Sequence, residues 1–415
     1  MNRPIKLIAV ASTLAVTSVL LAACGDSGDS SGSDTANAPK GDPIVIGYLI
    51  PDSGPEANPQ VAPGLKAGLD YINGEMGGIN GRPLEVIECH TDSSPAKETS
   101  CANDFVEKKV VAVLDGFDRG TEYSLPVYKS AKIPVIGNVA QNAVADTDTS
   151  GTYWALGPAN AVYAIGPLVA FKEAGMTNIS YGLNDVPAQH TYADKFLVPV
   201  AKELGLEFNA IYYDDATPNF SVVAATAESN GSDLLGVVKL VNPAQCKQFI
   251  DQSRQAGFEG DLLAGNCVGI EQLGSDSEGV YAYSNNYFPA MRDHAPEAVQ
   301  EDLDTMEKVM SDIPEDERGF FTYQDFATLM DFTRIVEPLD TIDAASVTEA
   351  LKGLKDYQAF AGTTLTCDGT QFPGTSACSN RLLLSESLGD GTLKPTGSDE
   401  LGGFVEVDPG LVPGS

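Results

Sequence analysis

Seven cysteines and three histidines are the residues of this 415-residue chain that could most directly do chemistry. Setting Cys24 aside, six cysteines remain and fall into three local pairs: Cys89 with Cys101, Cys246 with Cys267, and Cys367 with Cys378. An even number at such spacing suits disulfides in an oxidising compartment. A zinc site would ask for tighter C-x-x-C spacing and histidine partners. His90, His190 and His294 stand at unrelated places, with no G-x-S-x-G or H-E-x-x-H segment to accompany them. The run Asp146-x-Asp148-x-Ser150-Gly151 has the front of a calcium loop, but Gly157 stands where a bidentate Glu belongs. Gly25-Asp26-Ser27-Gly28 has the look of a serine-nucleophile segment, in a stretch that nothing would hold in place. These residues point to binding rather than catalysis, with no cofactor and no metal expected.

The ends and the charge set the compartment. Arg3 and Lys6 precede an uncharged apolar run, Leu7 to Leu20, closed by Leu21-Ala22-Ala23-Cys24. The run is short for a membrane span and reads as a cleaved signal peptide, residues 1–23. Leu-Ala-Ala-Cys resembles the lipobox of bacterial lipoproteins, which makes Cys24 the expected lipidation site and new N-terminus. Residues 24–41, rich in Ser, Gly and Asp, then read as a flexible tether. The charge balance is 25 − 58 = −33, a surface that repels phosphate backbones, so no nucleic-acid partner is expected. The expected location is the cell membrane, lipid-anchored and facing outward, with a monomeric body.

From Pro43 onward apolar β-branched runs alternate with segments of helical period. Strands are expected at Ile44 to Ile50, Leu84 to Glu88, Val110 to Leu114 and Ile133 to Ile136. Between them, helices are marked by Leu65, Leu69, Ile72 and Met76, by Ala96 to Lys109 and by Thr121 to Ala131. After a polar loop, Asn138 to Gly151, the series restarts. Helices at Ala161 to Ala174, Tyr192 to Leu204, Val222 to Ser229 and Pro243 to Ala256 alternate with four strands. Those strands are Asn178 to Leu183, Glu207 to Tyr212, Leu234 to Val238 and Asp261 to Ala264. Three more helices follow, near Ala298 to Ser311, Phe321 to Val336 and Ala344 to Leu354, and then a Gly-rich, hairpin-like tail. The fold class is α/β: two doubly wound lobes, with a cleft beyond the carboxyl ends of their strands. The Cys246–Cys267 bridge belongs at that edge.

The stretch IVIGYLIPDSGP (Ile44 to Pro55) resembles the opening strand and loop of leucine/isoleucine/valine-type solute-binding proteins. Residues Gly64 to Gly116 are similar to their next helix, turn, strand and helix, and Gly77-Gly78-Ile79-Asn80-Gly81-Arg82 is the most specific piece. The resemblance implies a type I periplasmic-binding fold with a hinge and three chain crossings, the first near Trp154 to Pro158. Lobe 1 is then expected over 42–156 plus about 290–357, and lobe 2 over about 157–289 plus about 358–415. It also implies capture of an amino acid or related small polar solute and delivery to an ABC permease. The alternative is a ligand sensor of the same fold that signals to a membrane kinase. Family members clasp ligand with two first-lobe loops, here Phe117-Asp118-Arg119 and Asn138-Val139-Ala140, and a second-lobe loop, here Asn184-Asp185. Asn242 and Asn266 complete the candidate set of Phe117, Asp118, Arg119, Asn138, Ala140, Asn184 and Asp185. No Ser or Thr precedes Thr121 in the first loop, and an acidic, amide-lined cleft suits an amine, amide or neutral polar solute. Asp118 reads equally as a ligand contact or a solvated charge; Trp154 reads as core or hinge packing.

Overall fold

The structure is a computed structural model that describes residues 39–54, 57–237, 240, 243–267, 269–314 and 317–413. The segment read as a signal peptide, Cys24 and most of the segment read as a tether lie outside the described residues.

Apolar β-branched runs form strands buried on both faces, as a parallel sheet between helices requires. In chain order these are β1 Ile44–Ile50, α1 Val61–Gly74, β2 Leu84–His90, α2 Pro95–Lys108, β3 Val113–Asp115, α3 Thr121–Ala131, β4 Val135–Gly137, α4 Ala143–Asp146 and β5 Tyr153–Pro158. The second series is α5 Asn160–Glu173, β6 Asn178–Asn184, α6 Pro187–Tyr192, α7 Val198–Glu203, β7 Glu207–Tyr213, α8 Phe220–Ser229, β8 Leu234–Val237, α9 Pro243–Gln255, β9 Asp261–Leu263 and β10 Val280–Ser284. Then come α10 Glu297–Met310, α11 Phe320–Val336 and α12 Ala344–Lys352. Short strands close the chain: β11 Tyr357–Gln358, β12 Thr364–Leu365, β13 Ala377–Ser379, β14 Arg381–Ser387, β15 Leu393–Pro395 and β16 Phe404–Glu406.

One sheet runs β13-β5-β4-β3-β1-β2 and the other β15-β14-β10-β9-β8-β6-β7, with β16 on β14. The second sheet has an antiparallel margin, because β14 returns against β10. The tail segment expected in the second lobe from residue 358 contributes β13 to the first sheet, paired parallel with β5. The chain then passes to the second sheet at Asn380, between β13 and β14. The Gly77-to-Arg82 turn is a tight reversal with Gly77, Gly78, Asn80 and Gly81 at positive φ. A Cβ on Gly78 would lie 2.1 Å from the Arg82 carbonyl oxygen, so glycine is required there.

Helix α11 anchors the first lobe. Every residue of it is buried except Phe321 and Arg334, which are half-buried. A helix buried nearly all round sits among other elements, and α1 covers it through Gly64 and Gly68. All three local cysteine pairs are bonded: Cys89–Cys101, Cys246–Cys267 and Cys367–Cys378. Among the described residues no helix is long and apolar enough to cross a membrane.

Candidate functional site

Loops at the carboxyl edges of the two sheets are where such folds bind ligands. In the first lobe, the loop after β3 is built around Asp115. Its carboxylate accepts from the Asp118 amide at 2.7 Å, the Thr121 hydroxyl at 2.9 Å and the Tyr153 hydroxyl at 2.8 Å. Phe117 takes a left-handed φ of 61° there and is buried against Phe321, ring centroids 5.0 Å apart. Asp118 lies beneath the cleft surface, wholly buried. Its oxygens accept from the Thr91 hydroxyl at 2.5 Å, the Ser93 hydroxyl at 2.8 Å and the Gly120 amide at 2.7 Å. That carboxylate holds the loop together; the exposed position beside it belongs to Arg119.

Glu98, on α2, stands next to this cluster and is also wholly buried. Desolvation, reinforced by the neighbouring Asp118 charge, pushes its carboxyl up to about 9. Asp115 is pushed up to about 7, chiefly by desolvation and then by Asp118, against the pull of its hydrogen bonds. Three acidic side chains therefore share one buried volume, and two of them hold protons more tightly than ordinary carboxyls.

Asn138, at the end of β4, faces the hinge. It is 4% exposed and sits in a head-to-tail amide relay. Gln324 of α11 donates to the Asn285 side-chain oxygen, and Asn285 donates to the Asn138 oxygen. Asn138 donates to Asn286 at 3.1 Å, and Asn286 donates to the Phe360 carbonyl at 3.2 Å. Asn285 and Asn286 follow β10, where the chain leaves the second sheet. Gly157, in the first crossing, admits this packing: a Cβ there would lie 2.5 Å from the Asn138 carbonyl oxygen. Ala140 is buried, and Asn142 caps α4 while donating to the Arg119 carbonyl at 3.3 Å. Trp154 is 6% exposed in β5 and its indole N–H donates to Gly151. Asp148 accepts from the amides of Ser150, Thr152 and Tyr153, which makes its segment a braced turn.

In the second lobe, Asn184 ends β6 half-buried, and Asp185 is exposed. The Asp185 carboxylate pairs with His190 Nε2 at 2.8 Å, and the imidazole stacks on Tyr212 with centroids 3.6 Å apart. Asn266 is half-buried beside the Cys246–Cys267 bridge, and its Oδ1 has no hydrogen-bond partner. Asn242 lies outside the described residues. Phe117, Asp118, Arg119 and Ala140 thus gather at the first-lobe edge and Asn184 with Asp185 at the second. Asn138 goes to the hinge. His190 and Tyr212 were missed because their stacking depends on how β6 and β7 lie side by side, and the partners of Asn138 because they lie 147 and 148 positions away. Among the described residues no group of His, Cys, Asp or Glu side chains is placed to hold a metal ion.

Two doubly wound lobes, joined by crossings at their strand ends, define a type I periplasmic-binding fold. The chain belongs to the periplasmic binding protein family, whose model matches residues 43–376. The family is one of extracytoplasmic solute-binding proteins, not of enzymes. No curated protein matches the chain in sequence. Solved structures share the fold at low identity. The leucine-binding protein LivK of Thermotoga maritima is 16% identical, with TM-score 0.61 over 85% of this chain and 97% of its own. An ABC transporter substrate-binding protein of Aeropyrum pernix is 16% identical, with TM-score 0.65 over 89% and 97%. The branched-chain amino acid binding protein LivJ of Streptococcus pneumoniae, solved with isoleucine, is 16% identical, with TM-score 0.62 over 84% and 97%.

Proposed function

We propose that the protein is the extracytoplasmic solute-binding component of an ABC importer, capturing an amino acid or related small polar molecule as its lobes close. One observation carries this reading. The two sheets are linked by crossings at their strand ends, and a buried amide relay fastens the crossing after β10 to the end of β4, to α11 and to the Phe360 carbonyl. Such a linkage lets two rigid bodies swing about a short hinge and enclose a ligand. Amino-acid ligands in the similar LivJ of Streptococcus pneumoniae, and in a Desulfitobacterium hafniense protein solved with Leu, support the solute class.

In this reading Arg119 receives an anionic group from the first lobe. Asn184, Asp185 and the unpartnered Asn266 Oδ1 receive amine or amide hydrogens from the second. Phe117, Asp118 and Ala140 shape the first-lobe wall from behind, and Asn242 is counted among the ligand-binding residues. Cys24 carries the lipid that keeps a monomeric body near its permease. A thermal-shift screen of the purified protein against amino acids, amides, polyamines, small acids and sugars tests the proposal. One solute class should raise the melting temperature by mass action. A flat response to every class would sink it.

A further inference from the structure

Behind the second-lobe loop, at the carboxyl end of β6, lies a cavity of about 100 Å³. Tyr181, Asn184, Gln189, Tyr192 and Tyr213 line it, and no charged side chain does. Tyr181 is 1% exposed, and its hydroxyl has no hydrogen-bond partner. The Tyr163 hydroxyl, from α5, is equally buried and unpartnered, and its ring stands 5.8 Å from that of Tyr283. Tyr283 lies within electrostatic reach of Tyr163, Tyr181 and Tyr192, and burial pushes all four phenols well up. They are neutral hydrogen-bond donors at any physiological pH.

An unpaired hydroxyl in a dry interior costs about 1–3 kcal/mol. Phenylalanine would fill the Tyr181 position without that cost, so a hydroxyl beside an open volume calls for an occupant. The covering helix is also irregular. A π turn, Ala193–Leu197, joins α6 to α7. Pro199 has no N–H to offer the Lys195 carbonyl, so the α pattern breaks there. Turns of this kind gather at functional sites. Asn184, Gln189 and Tyr192 are only half-buried, which leaves the cavity a mouth on the carboxyl edge of the sheet.

We propose that this cavity is a subsite for a short, uncharged polar arm of the bound solute, a hydroxyl, amide or carbonyl held by the Tyr181 hydroxyl. The assignment rests on the solute-binding reading above. A cavity of about 150 Å³ holds benzene, so this one takes an arm of about four heavy atoms, with a fifth at its mouth. A carboxylate or ammonium is excluded, because nothing inside offers a counter-charge for its desolvation.

Propionamide is the probe, titrated into the full chain labelled with 3-fluorotyrosine and followed by ¹⁹F NMR. The Tyr181 resonance, assigned by its loss in Tyr181→Phe, should shift saturably with propionamide and stay still with propionate. In Tyr181→Phe, the remaining perturbed resonances should report binding at least fivefold weaker, with no fall in melting temperature. An unmoved Tyr181 resonance, an equal response to propionate, or undiminished binding by Tyr181→Phe overturns the subsite. The solute found by thermal shift separates the two readings. If it stabilises wild type and Tyr181→Phe alike, the subsite falls and solute binding stands. If no solute stabilises wild type while propionamide titrates Tyr181, the cavity stands and the importer reading falls.

Discussion

Asp118 shows how a single side chain can carry a meaning that neither simple expectation covers. From sequence it read as a ligand contact or a solvated loop charge. In the structure it is a buried acceptor for Thr91, Ser93 and the Gly120 amide. Its burial has an electrostatic consequence for its neighbours. Glu98 is pushed up to about 9 and Asp115 to about 7, while unfolded carboxyls titrate near ~4. Asp331, buried in α11, is also pushed up to about 7, chiefly by desolvation. A folded-state value above the unfolded one means that the folded protein keeps a proton which the unfolded chain releases. Stability is therefore fully present below about pH 4 and falls as pH rises, to about 7 for Asp115 and Asp331 and on to about 9 for Glu98. Over the upper part of that range, pH 7 to 9, Glu98 contributes a slope of up to about 1.4 kcal/mol per pH unit. Denaturant midpoints across this window should decline in wild type and flatten in Glu98→Gln. Parallel slopes for the two proteins would remove Glu98 from the account.

Elements were far more legible than side-chain roles. Alternating β-branched runs and helical stripes placed β1 through β4 and β6 through β9 within a few residues, because period is a local property of the chain, while β5 was read only as a crossing. Where it failed, a local cause can be named. Tyr192 to Leu204 read as one helix, and Pro199 divides it into α6, a π turn and α7. β10 was not assigned, since VYAYS is short and lies between a glycine turn at Gly279 and the polar pair Asn285-Asn286. β13 joins the first sheet through pairing with β5, more than two hundred residues earlier, which no local pattern announces. Site residues suffered most: Asn138 meets partners 147 and 148 positions away. Packing between α1 and α11 lies at the same scale and carries its own test. A Cβ at Gly64 would fall 2.1 Å from the Thr322 carbonyl oxygen, backbone that cannot swing aside. Gly64→Ala therefore has to push α1 away from the buried α11, which outweighs the ~1 kcal/mol that alanine gains in helix propensity. Overpacking of this kind costs about 1–3 kcal/mol. Thermal unfolding should show a lower midpoint for Gly64→Ala; a higher one would mean that α1 yields freely.

At the scale of the whole molecule, the question is what sets the balance between open and closed lobes. The amide relay is the part of the structure best placed to do so. It starts on α11 at Gln324, passes through Asn285 to Asn138 at the end of β4, returns to Asn286, and ends at the Phe360 carbonyl. Each of its four side chains is almost wholly buried, so none can exchange a partner for bulk water without opening the hinge. A rotation of one lobe must carry the relay intact or break it, and low-dielectric surroundings make a half-broken relay costly. Asn138→Ala removes the middle link. The Asn285 side-chain N–H and the Asn286 side-chain oxygen then lack partners, at about 1–3 kcal/mol each. Amide exchange should accelerate in residues 284–288 well beyond the rest of the protein, with a modest fall in overall stability. Solute affinity should change as well, since binding draws on the same open–closed equilibrium that the relay biases. Exchange in 284–288 that matches wild type would show that the hinge is held by the apolar packing around α11, with the amides as passengers.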